Sequence, residues 1–172
     1  MLKKTLTALG LSMAVATPAL ALEGPFPIKD IEADTYFEAM DNANALDFYP
    51  EIATDIENAI RARVDLADED DFRPLNIDVL VTGLRLNDNP VLTSSGEFNV
   101  LEGLVEVVDA RNPEVKVSEP VLLEAYEAEV PYPAFSPDDK EFYTAMVYAF
   151  ADRAAEIAAS VDELPDEGEV RN

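Results

Sequence analysis

The stretch from Leu75 to Val130 constrains this chain most, because its apolar and polar side chains alternate with the period of a β-strand. Ile77, Val79 and Val81 alternate with Asp78, Leu80 and Thr82, the pattern of a strand with one buried face. Past Gly83 the phase slips, and Leu84 and Leu86 become the apolar set. A β-bulge at Gly83 keeps both halves facing one core. Asn87-Asp88-Asn89-Pro90 breaks the strand, and Thr93-Ser94-Ser95-Gly96 completes a loop of turn-forming residues. The second strand is expected over 98–108, with apolar residues on both sides that suit a central position covered at least partly on each face. A turn at 109–114 leads to a third strand running from Val115 towards Val130. Pro120 cannot donate a ladder hydrogen bond, which makes this strand an edge or bulges it there.

Helical patterns flank the meander. Asp47 is placed to cap a helix with Pro50 in its first turn, and Tyr49, Ile52, Ile56, Ala59 and Ile60 then recur at helical spacing up to about Val64. Upstream, Ile31, Ala33, Thr35 and Phe37 alternate with acids as a first strand. Downstream, Ser136-Pro137-Asp138-Asp139 is a helix start, and Phe142, Met146, Ala149, Phe150, Ala154, Ile157 and Val161 form an apolar stripe. The expected fold is α+β and two-layered. A mixed, mainly antiparallel sheet of about four strands carries two helices on one face, in the order β-α-β-β-β-α. Residues 22–161 form one domain, and the acidic stretch 162–172, with Pro165 and Gly168, is expected to be disordered.

Met1-Leu2-Lys3-Lys4, the apolar run to Ala16 and Ala19-Leu20-Ala21 have the layout of a secretory leader cut after Ala21. No cysteine follows to take a lipid, so a lipoprotein is not expected, and neither is a transmembrane segment in the mature chain. The formal charge of −24 opposes binding to nucleic acid and to anionic lipid. Histidine, cysteine and tryptophan are absent, which removes His-based triads, Cys nucleophiles and the usual zinc sites. With 36 acidic residues, carboxylate pairs occur by chance and carry no weight as a glycosidase signal. The densest cluster, Asp65, Asp68, Glu69, Asp70 and Asp71, has no glycine and no EF-hand spacing, and reads as a solvated loop. No catalytic residue, metal site or cofactor is expected. Pro131, Tyr132, Pro133 and Phe135 form a stiff loop whose aromatics either staple it to the core or face a partner.

The element order behind a leader, together with Val107-Val108-Asp109-Ala110-Arg111-Asn112-Pro113-Glu114-Val115, resembles a group of bacterial envelope domains. The group includes the TolB amino-terminal domain and the curli-secretion lipoprotein core. The resemblance implies a periplasmic, non-catalytic binding or assembly role with an envelope protein as partner. The alternative is a carboxylate-dependent hydrolase or a divalent-cation-binding protein.

Overall fold

The computed structural model describes residues 22–23, 25–37, 43–113, 115–125 and 140–164. In chain order they form β1 (Leu22–Glu23), β2 (Ile28–Thr35), α1 (Ala45–Phe48), α2 (Ile52–Arg61), β3 (Leu75–Arg85), β4 (Val100–Asp109), β5 (Val115–Glu124), α3 (Lys140–Ala159) and β6 (Glu163–Leu164). The main sheet has the order β2-β3-β4-β5, with β2 parallel to β3 and the other pairs antiparallel. α2 lies against β2, α3 lies against β4 and β5, and the two helices pack on each other. This is the expected α+β two-layer arrangement. β1 and β6 form a separate antiparallel pair of two residues each, so the acidic segment after α3 begins in a strand rather than as free chain.

Register explains which side chains share a face. Ile31, Ile77, Val107 and Val117 stand in one cross-strand row, Ala33, Val79 and Val105 in the next, and Thr35, Val81, Gly103 and Val121 in a third. Ile31, Ile77, Val79, Val81, Val105, Val107 and Val121 are buried in the core that the helices cover. The β3–β4 register shifts between Val81 and Gly83, leaving Thr82 as the extra residue. That bulge brings Leu84 onto the inner face opposite Leu101, both fully buried. Gly83 itself keeps an ordinary backbone; the left-handed positions among the described residues are Asn87 (φ 56°) and Gly96 (φ 66°), both in the β3–β4 loop. Pro120 sits on β5, an edge strand, as its missing N–H requires.

Gly103 is needed for close packing rather than for its backbone. A Cβ there would fall 2.8 Å from Phe150 Cζ and 2.9 Å from the Leu80 carbonyl oxygen. Gly103→Ala is therefore expected to cost about 1–3 kcal/mol by overpacking. Urea unfolding would show this as a lower midpoint, and an unchanged midpoint would mean that the α3–β4 contact is looser than its geometry indicates.

The first helix differs from expectation at its start. Asp47 lies inside α1 instead of capping α2, and the chain breaks at Tyr49-Pro50 before α2 begins at Ile52. The cause is Pro50, which disfavours helical geometry at the residue before it; Tyr49 adopts φ −128° and ψ 61°. The buried stripe of α2 is Ile52, Ile56, Ala59 and Ile60. On α3 the stripe runs through Met146, Val147, Phe150, Ala151, Ala154, Ile157 and Ala158, with Val161 just beyond. Ala149 faces solvent, because it lies to one side of the stripe that Val147 and Ala151 extend.

The β3–β4 loop is stitched to the start of the helical layer. The Asn44 amide donates to the Leu92 carbonyl (3.0 Å) and accepts from its N–H (2.7 Å). The Tyr49 hydroxyl donates to the Gly96 carbonyl at 2.8 Å. Tyr49 meets Phe98 edge-on with ring centroids 5.1 Å apart and stacks on Tyr143 at 5.0 Å. At the opposite end of the sheet, Arg73 and Asp109 form an ion pair whose side chains are 3% and 0% exposed. Asp109 Oδ1 also accepts the N–H groups of Arg111 (2.9 Å) and Asn112 (3.3 Å), which fixes the β4–β5 turn.

Candidate interaction surface

The second face of the sheet has no helix on it among the described residues. Up to the bulge after Val81, the same register that buries the odd-numbered positions of β3 turns its even-numbered ones outward. One outward row is Asp34, Leu80, Leu104 and Pro120, and the next is Glu32, Asp78, Glu106 and Ser118. Leu122 stands beside Glu102 and is 52% exposed. Leu80, Leu104, Glu106 and Asp78 are half-buried. β4 is thus fully packed on its inner face and partly covered on the other, where Glu102, Leu104, Glu106 and Val108 are half-buried and Val100 is buried, as expected for a central strand. A depression of about 270 Å³ lies on the outer face, lined by Glu32, Asp34, Asp78, Leu80, Leu104 and Glu106 among others.

The electrostatics of this face are unfavourable for the isolated chain. Glu32, Asp78 and Glu106 are direct cross-strand neighbours, an arrangement of like charges that weakens a sheet. Glu106 accepts a hydrogen bond from the Ser118 hydroxyl at 3.0 Å, and Glu102 pairs with Arg85 at 2.9 Å. Burial and the charges of Glu106 and Asp30 push the Asp78 carboxyl above its usual range. A raised carboxyl means that the folded state takes up the proton before the unfolded chain does. The charge on Asp78 is therefore a cost at neutral pH that acidification relieves. Asp78→Asn should raise stability at pH 7 by roughly 0.2–1 kcal/mol, and the gain should shrink as pH falls through the raised value. A variant less stable than the parent at pH 7 in thermal melts would mean that the carboxylate is held by attraction.

Both edges of the sheet discourage strand addition. β5 carries Pro120, and β2 carries the charged and exposed Lys29, Asp30, Glu32 and Asp34. Recognition by augmentation at an edge is thereby disfavoured, and the broad outer face is the better surface. The proline-aromatic positions Pro131, Tyr132, Pro133 and Phe135 lie outside the described residues. The acidic loop is exposed at Asp65, Asp68, Glu69 and Asp70, and the Asp68 N–H donates to Asp71 at 2.6 Å. Among the described residues no three His, Cys, Asp or Glu side chains gather where a metal ion would sit. None of the described helices is long and apolar enough to cross a membrane.

Sequence reasoning missed the outer face as a unit. Its residues were visible as the polar phase of two separate strands, but only the register brings Glu32, Asp78 and Glu106 side by side. It also missed the role of Asp109. That residue continues the inward phase of Val105 and Val107, a buried acid that calls for a cation, and Arg73 closes the acidic 65–74 segment.

No protein-family model matches the chain. No curated protein matches it either. Among solved structures it is similar to a PelC variant dodecamer from Paraburkholderia phytofirmans, at 14% identity and a TM-score of 0.44, over 83% of this chain and 95% of that one. A second PelC dodecamer structure from the same organism is similar at 16% identity and a TM-score of 0.35, over 84% and 92%.

Proposed function

We propose that this chain is a secreted, periplasmic envelope protein that binds or helps to assemble a partner protein without catalysis. The observation that carries the reading is the face of the sheet that no described helix covers. Apolar Leu80, Leu104, Pro120 and Leu122 lie there among carboxylates that repel one another across the strands. A partner with Lys or Arg around an apolar patch would cover the leucines and neutralise Asp78 and Glu106 together, so binding would relieve a cost built into the free protein. The resemblance to TolB-like envelope domains implies the same kind of role, and the basic-apolar-small start of the sequence supports export.

Two experiments separate location from role. The exported form should begin at Leu22 by mass spectrometry, whereas an intact chain held in the inner membrane contradicts export. Native-mass analysis of periplasmic extract should show the chain in a complex that Glu106→Lys and Leu122→Lys dissolve. Leu122 is exposed, so Leu122→Lys should shift melting by no more than about 0.5 kcal/mol equivalent, whereas Glu106→Lys removes a like charge beside Asp78 and should leave the fold no less stable. A complex unchanged by both substitutions would remove the outer face as the docking surface.

A further inference from the structure

A second feature lies on the other side of the molecule, where α2 and α3 meet. The helices leave a cavity of about 340 Å³ between them, lined by Phe48, Tyr49, Glu51, Asp55, Tyr143 and Thr144 together with Pro50. It continues past Asp55, Tyr143 and Thr144 into a second hollow of about 300 Å³ that reaches Arg63 and Tyr148. The two halves differ in charge. In the far half, the Arg63 guanidinium sits 4.6 Å from the centroid of the Tyr148 ring and bonds Asp152 at 2.5 Å. The near half has three aromatic residues and two carboxylates, and among the described residues no Lys or Arg lines it.

We propose that the near half of this groove binds a small organic ammonium ion, its positive charge facing Asp55 and Glu51 and its alkyl groups against Phe48, Tyr49 and Tyr143. Aromatic rings beside carboxylates in a partly desolvated cleft are the chemistry that selects alkylated ammonium over hydrated metal cations. The far half shows the same chemistry satisfied from within the chain, by Arg63 between Tyr148 and Asp152. The near half is also held in shape. The Tyr143 hydroxyl donates to Asp55 Oδ2 at 2.6 Å, which ties α3 to α2 and leaves the other carboxylate oxygen able to accept. Burial, the hydrogen bond to Asp55 and the Asp55 charge, with Tyr49 and Glu51 adding, push the Tyr143 phenol well above its usual range, so its proton stays in place to donate to Asp55. The stacked Tyr49–Tyr143 pair, 14° from parallel, is anchored by the Tyr49 bond to Gly96, so little ordering is left for a ligand to impose.

The test is an amide NMR titration of the mature chain with choline chloride and with its neutral isostere 3,3-dimethyl-1-butanol, at constant ionic strength. Choline should give saturable shifts centred on Glu51, Asp55, Tyr143 and Thr144, and the alcohol should bind at least about tenfold more weakly. Asp55→Asn should weaken choline binding by about tenfold. Because Asp55 also bonds Tyr143, the exposed Glu51→Gln is the companion variant, expected to weaken choline severalfold with unchanged melting. Equal binding of the neutral alcohol overturns the proposal, leaving only an apolar cleft. Unsaturable shifts spread over the acidic surface overturn it as counter-ion accumulation. So does choline binding unaffected by both substitutions. None of these outcomes bears on the sheet face, which lies on the opposite side of the core.

Discussion

Asp109→Ala is expected to destabilise the fold by about 3–5 kcal/mol, because it removes the carboxylate that pairs with the buried Arg73 guanidinium and accepts the turn N–H groups of Arg111 and Asn112. Asp109→Asn should cost less, since its amide oxygen still accepts both turn N–H groups. Arg73→Met combined with Asp109→Ala should recover part of the loss, because the buried guanidinium is then removed together with its carboxylate. The pair also sets an acid limit. Burial alone would raise the Asp109 carboxyl, but the bonds from the Arg111 N–H, the Arg73 side chain and the Asn112 N–H, with the Arg73 charge, hold it below its usual range. A depressed carboxyl stabilises fully above the unfolded value near about 4, and that contribution is lost as pH falls through the lower folded value. Asp109→Asn should therefore flatten the acid limb of the stability curve. A wild-type limb in that variant would show that other carboxylates govern it.

The second large effect belongs to Phe150. It is fully buried and lies against Gly103 at the middle of the sheet. Phe150→Ala should cost about 3–5 kcal/mol through lost burial and the hole left beneath β4. Urea unfolding should show a lower midpoint with an unchanged slope. A loss below about 1.5 kcal/mol would mean that α3 collapses onto the sheet and closes the cavity.

Much of the architecture was readable because single-strand and single-helix patterns are local. The alternation around Ile77, Val79 and Val81, the phase slip at Gly83 and the missing donor of Pro120 each speak through neighbours in sequence. Boundaries were harder where two local rules competed. Pro50 suits the first turn of a helix and also unseats the residue before it, and the second effect prevailed at Tyr49. Ala149 shows a different limit, since alanine is apolar enough to join a stripe and small enough to face water. The ties that define sites are long-range. Tyr143 and Asp55 lie 88 residues apart, and Arg73 and Asp109 lie 36 apart, so nothing in their local sequence pairs them. The acidic face was half legible: its residues alternate correctly, but their mutual repulsion exists only once three strands align.

Site-specific photo-crosslinking in cells tests the outer face most directly. A photoreactive residue at Leu104 or Leu122, on the outer face, is compared with one at Glu57 or Asp152, on the helical side. One discrete adduct is expected from Leu104 and Leu122, none from Glu57 and Asp152, and that adduct should be lost with Glu106→Lys. An adduct formed from the helical positions and absent from the sheet positions would contradict docking at the outer face.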